Sequence, residues 1–127
     1  MPLRFLTLGE VLAIHQDQLR RYGGKKGIRD IHLLSSAIAM PSATFAGQFL
    51  HTNRYEMAAA YLFHLVQNHP LVDGNKRTGT VTALVFLALH GEVCNAPEEA
   101  LVDMVLQVAG GKSSKADIAL WLRKWCA

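Results

Sequence analysis

Cysteine is scarce in this chain. Cys94 and Cys126 are the only two in 127 residues, far apart and in no metal-ligand spacing. That argues against a disulfide-stapled secreted scaffold and against a thiolate metal knuckle; the two thiols read as incidental features of a reduced cytoplasmic protein. Long apolar runs are missing too. The longest, around residues 57–66 and 81–89, fall well short of the ~20 residues that cross a bilayer. The start, Met1-Pro2-Leu3-Arg4-Phe5-Leu6, has no long apolar region or small-residue cleavage site, so no signal peptide is expected. Repeats, low-complexity tracts and alternating strand patterns are absent. The charge excess is only +3, much of it in Arg20, Arg21, Lys25, Lys26 and Arg29. With no second basic stripe and no aromatic stacking series, that cluster reads as a solvated loop attracting an acidic partner, not as a nucleic-acid surface.

What remains is helix. Half the residues are hydrophobic and the length suits one domain, 1–127. Thr7-Leu8-Gly9-Glu10 is a capping-box pattern, and the helix after it carries Leu8, Val11, Leu12, His15 and Leu19 before Gly23-Gly24 stops it. Asp30 caps a second helix that Pro41 ends. Residues 41–53 lack a period and read as a loop with room for a short strand or helical turn. Asn53 caps a helix over 54–68 that is apolar on most faces, and 76–90 is similar. Asn95-Ala96-Pro97-Glu98 starts a fifth helix, and Ser114 with Asp117 starts a sixth. The expectation is a compact all-α domain with a buried central helical hairpin.

Between the two apolar helices lies His69-Pro70-Leu71-Val72-Asp73-Gly74-Asn75-Lys76-Arg77-Thr78-Gly79. Gly74 removes bulk where an anion approaches the main chain. Asn75 suits the cap of the next helix, leaving the amides near Lys76, Arg77 and Thr78 as unpaired donors, and a helix start with free amides binds anions. Lys76 and Arg77 put two cations where the helix dipole disfavours them, a conflict that a bound phosphate resolves. Asp73 offers a hard oxygen to Mg²⁺ shared with phosphates. His69, kept neutral by nearby cations, could accept a proton from an attacking hydroxyl. Leu71 and Val72 are expected to anchor the loop by burial. The loop is not a Gly-x-x-x-x-Gly-Lys-[Ser/Thr] nucleotide loop, and His64 with His69 has the wrong spacing for a zinc pair, so His64 reads as a core or rim histidine.

The segment from His69 to Arg77 resembles the signature loop of the Fic/Doc family, in its death-on-curing (Doc) branch. Tyr22-Gly23-Gly24, Gly27-Ile28-Arg29-Asp30, Ser36-Ala37-Ile38 with Pro41, and Phe86-Leu87 with Gly91 fall in the order that branch shows. The resemblance implies a six-helix bundle that transfers part of a nucleotide to a protein hydroxyl. His69 would be the base, Asp73 the Mg²⁺ ligand, and Gly74, Asn75, Lys76, Arg77 and Thr78 the ATP phosphate cradle. AMP-transferring members carry glycine where this chain has Lys76. The Doc branch has lysine there and moves the γ-phosphate of ATP to a threonine of elongation factor Tu, halting translation. The resemblance therefore implies a kinase-like toxin restrained by a separate antitoxin.

Three departures accompany it. Leu71 replaces the usual Phe, Val81 stands where the best-studied member of the branch is polar, and Thr52 to Glu56 matches the family's internal inhibitory motif only by chance, since Met57 follows it. The 41–53 loop corresponds to where relatives hold the target segment; Phe45, Phe49 and Leu50 read as docking surface or core, with core favoured. Two other functions stay open: an AMP transferase, and a catalytically idle module that only binds an anion or partner.

Overall fold

The computed structural model describes residues 2–127; Met1, where the amino-terminal reading begins, lies outside the described residues. Six α-helices are found among those residues: α1 (Leu8–Tyr22), α2 (Ile31–Ala39), α3 (Arg54–Asn68), α4 (Asn75–Leu89), α5 (Glu98–Ala109) and α6 (Lys115–Trp125). The expected all-α bundle is what forms. Its caps are chemical. Thr7 Oγ1 accepts from Glu10 N at 3.2 Å while Glu10 returns a carboxylate to Thr7 N at 3.0 Å. Asp30 Oδ1 accepts from the amides of His32 and Leu33. Asn53 and Ser114 open α3 and α6 in the same way.

Helix α3 is the axis of the domain and packs against α2, α4, α5 and α6. Tyr61, Leu62 and Leu65 are fully buried, and each such side chain contributes roughly 1.5–3 kcal/mol over exposure. Tyr61 also ties down the chain before α1: Leu6 N donates to its hydroxyl at 2.8 Å. Burial pushes the Tyr61 phenol up to about 12, so it stays protonated. Helix α4 crosses α3 closely at Gly79, where a Cβ would come within 3.2 Å of Val66 Cγ2 and 3.3 Å of Leu65 Cβ. That crossing is the buried hairpin, and it holds the 69–74 loop at one end.

The expected loop over 41–53 is entered through a 3₁₀ turn at Met40–Ser42 and carries a two-stranded hairpin, β1 (Thr44–Phe45) antiparallel to β2 (Gln48–Phe49). Positive φ at Ala46 and Gly47 closes the hairpin. The core assignment of its apolar residues does not hold. Phe45 is 76% exposed, and Phe49 and Leu50 are exposed as well, because a two-residue ribbon has no second layer to bury them. Among the described residues no helix is long and apolar enough to cross a membrane. Cys94 and Cys126 are free thiols.

Candidate active site

His69 ends α3 in the left-handed conformation, φ 50° and ψ 50°. A non-glycine residue takes that backbone only at a cost, so its surroundings must hold it there. Arg29 does much of this: its Nε donates to His69 O at 2.6 Å and an Nη to Asn68 O at 2.9 Å, satisfying the last carbonyls of the helix. The amides of Arg29 and Asp30 both donate to Pro70 O, and Val72 N donates to Gly27 O. The 23–30 segment is thus the tie-down of the signature loop. The basic cluster is exposed throughout, as expected of a solvated loop; Arg20 and Arg21 pair with Asp17 at the surface, and Arg29 is turned onto the loop carbonyls.

Asp73 is held by main-chain donors. Its Oδ2 accepts from Lys25 N at 3.0 Å and its Oδ1 from Gly74 N at 2.8 Å. Those bonds, Lys25 first, keep the carboxyl below the ordinary carboxylate range, so it is ionised at neutral pH. Gly24 makes this approach possible: a Cβ there would lie 2.8 Å from Asp73 Oδ2 and 2.9 Å from Leu19 Cδ2.

The start of α4 differs from expectation in two residues. Gly74, with φ +79°, is the cap, while Asn75 is the first helical residue and is buried. Its side chain braces the loop, accepting from Leu71 N at 2.9 Å and donating to Leu71 O at 3.0 Å and towards His69 Nδ1 at 3.2 Å. A buried amide beside free loop backbone is better satisfied there than as a cap. Thr78 does not line the cleft: it is fully buried, and its amide already donates to Gly74 O at 2.9 Å. Counting from a Gly74 cap, the fourth helical amide closes the first turn, so the free donors are those of Asn75, Lys76 and Arg77. Leu71 is buried as expected, but Val72 is 44% exposed and does not anchor the loop.

His69, Asp73, Gly74, Asn75, Lys76 and Arg77 line one cleft of about 430 Å³, closed by Val66 and Ala109. Lys76 is exposed and has no ion-pair partner among the described residues. Arg77 donates to Gly23 O at 2.9 Å and lies 5.7 Å from the Tyr22 ring centre, leaving its remaining donors for the cleft. No acid occupies the first turn of α4. The cleft therefore combines a helix amino end, two cations, an ionised carboxylate and an exposed imidazole.

The family model described as Fic/DOC family matches residues 5–87, well over half the chain and including this whole cleft wall except Ala109. The chain belongs to the Fic/DOC family. Over 96% of its length it is 32% identical to a protein of Escherichia phage P1 named Protein kinase doc, covering 95% of that relative. A second relative, Toxin Doc of Mycolicibacterium smegmatis, is 44% identical over 55% of this chain and 54% of its own.

A residue that sequence reasoning placed only in the core also touches this loop. His15 of α1 is buried, and its Nε2 lies 2.8 Å from Asp73 O. The available signal was an imidazole on an apolar stripe, which demands a polar partner. Elsewhere, His64 and His51 each place Nε2 3.2 Å from Lys115 Nζ, the rim role expected of His64. Burial, then Lys115, pushes the His64 imidazole down to about 4.

Proposed function

We propose that this Fic/DOC protein is a Doc-type toxin that moves the γ-phosphate of ATP to a Ser/Thr hydroxyl of a protein. By resemblance the acceptor is a threonine of elongation factor Tu, and a separate antitoxin restrains the activity. The single observation that carries the reading is the placement of Lys76: it stands among three unpaired amides at the start of α4, in the same cleft as His69. A lysine there fills space that glycine leaves open in AMP-transferring relatives. The relative named a protein kinase supports the same choice.

The chemistry follows from the site. The amides of Asn75, Lys76 and Arg77 and the two cations would hold the terminal phosphates and absorb charge in the transition state. The residues present fit a Mg²⁺ ion in a limited way. Asp73 is ionised and each oxygen keeps a lone pair, while no group of three His, Cys, Asp or Glu occurs among the described residues. A metal there would take one protein oxygen, with phosphates and water completing its shell, as Mg²⁺ commonly does. Bound so, it would neutralise phosphate charge and help to align the chain of phosphates.

The acceptor oxygen attacks phosphorus, a bond to the γ-phosphoryl group forms, and the bond to the β–γ bridging oxygen breaks, releasing ADP. The hydroxyl proton goes to His69. The side-chain amide of Asn75 lies 3.2 Å from His69 Nδ1 and turns the ring in the cleft. Incubation with cell extract and ATP labelled at the α or the γ position tests the reading. Label should reach protein from the γ position and depend on His69; transfer from the α position alone would establish AMP transfer instead.

A further inference from the structure

We infer that His15 is a positioning residue for this transfer site, acting through the main chain of Asp73; the inference rests on the phosphotransfer reading above. His15 is 5% exposed and lies 58 positions from Asp73. Its Nε2 is 2.8 Å from the Asp73 carbonyl oxygen. A carbonyl can only accept, so the ring proton sits on Nε2. The imidazole also underlies Gly74, where a Cβ would come within 3.6 Å of Cδ2 and Nε2.

The peptide unit that His15 grips is the one that orients the carboxylate. The Asp73 carbonyl and the Gly74 amide share one plane, and that amide donates to Asp73 Oδ1 at 2.8 Å. Turning the plane would swing the amide away and release one oxygen of the carboxylate, leaving Lys25 N alone to hold the other at 3.0 Å. Among the described residues, no other side chain bonds the Asp73 carbonyl. His15 does not reach the cleft itself. Its effect is on the aim of Asp73 and on the first free amides of α4, and so on how Mg²⁺ and the phosphates are presented.

Two substitutions separate positioning from packing. His15→Leu fills the volume without a donor, whereas His15→Gln carries an amide N–H at a reach close to that of Nε2. Parent and variants are compared for γ-label transfer, for half-saturating Mg²⁺, and for amide hydrogen exchange at Gly74 with Leu122 as a distant reference. His15→Gln should stay within about threefold of the parent in kcat. His15→Leu should lose on the order of tenfold or more, need more Mg²⁺, keep its KM for the protein acceptor, and exchange the Gly74 amide faster relative to Leu122. The inference is overturned if His15→Leu matches the parent in kcat and Gly74 exchange, or if both variants fall equally. If His15→Leu fails to fold, the parent's ring-nitrogen spectrum decides: a His15 proton on Nε2 supports the bond and one on Nδ1 alone refutes it. A parent that transfers no phosphate removes the phosphotransfer reading, while Gly74 exchange and the ring spectrum still judge the His15 contact separately.

Discussion

The side-chain amide of Asn75 is fixed by Leu71 on both its atoms, and so it must present a hydrogen to Nδ1 of His69, 3.2 Å away. Asn75 therefore sets how the His69 ring is turned in the cleft. Asn75→Asp keeps the acceptor for Leu71 N but has no hydrogen for Leu71 O or for Nδ1, so the ring loses its brace. Phosphate transfer at neutral pH should fall by on the order of tenfold, because the imidazole is no longer held in place. Transfer equal to the parent's would show that Asn75 does not control the ring.

Gly24→Ala and Gly23→Ala make a matched pair. Both residues have positive φ, at +125° and +78°, so each alanine is strained by about 1–3 kcal/mol. Only at Gly24 does the new methyl also meet Asp73 Oδ2, Leu19 Cδ2 and Arg77; at Gly23 nothing lies within 4 Å. Thermal unfolding should therefore show a loss in both, while phosphate transfer falls sharply only in Gly24→Ala. Equal activity in the two variants would mean that the close approach of the 23–30 segment does not matter to the site.

The His51–Lys115–His64 cluster gives the fold an acid-side weakness. The folded pKa of His64 is depressed from its ordinary 6.5 to about 4, chiefly by burial, and that of His51 is lowered for the same first reason. A histidine held neutral in the fold contributes stability above its unfolded pKa. That contribution is lost progressively as pH falls from about 6.5 toward about 4, because the unfolded chain takes up the proton first. Urea midpoints measured from pH 7 to 4.5 should fall through that window, and His64→Gln should flatten the decline. A decline of unchanged steepness in His64→Gln would remove His64 as its source.

Much of this was legible in the chain because the caps are local chemistry. Thr7 with Glu10, Asp30, Asn53 and Ser114 each announce a helix within four residues, and the structure uses every one. The site residues were legible as a set because His69 to Arg77 is contiguous. The misreadings have two causes, one inside the loop and one far along the chain. Asn75 looked like a cap because its neighbours suggested one, but the Leu71 backbone claimed its amide. Thr78 looked free because the register of the first helical amide shifts with the cap. His15, Arg29 and Gly24 act on the loop from 40 or more positions away, and no local pattern marks such a contact.

Arg29 offers the clearest test that the loop is held from outside. Its guanidinium bonds the carbonyls of Asn68 and His69, the last two residues before the chain turns, and it does so while His69 sits in a left-handed backbone. Removing the guanidinium leaves those carbonyls to water and lets His69 relax toward a more ordinary backbone, which moves the imidazole. Arg29→Met keeps most of the aliphatic length, so packing changes little. Displacement of a catalytic group by about 1 Å can cost on the order of a hundredfold in rate, and a partial displacement should cost on the order of tenfold. The expected result is a fall in kcat with KM for ATP little altered, because the amides and cations of α4 stay where they are. A rise in KM with kcat intact would place Arg29 in nucleotide binding instead, and would contradict its assignment as the brace of His69.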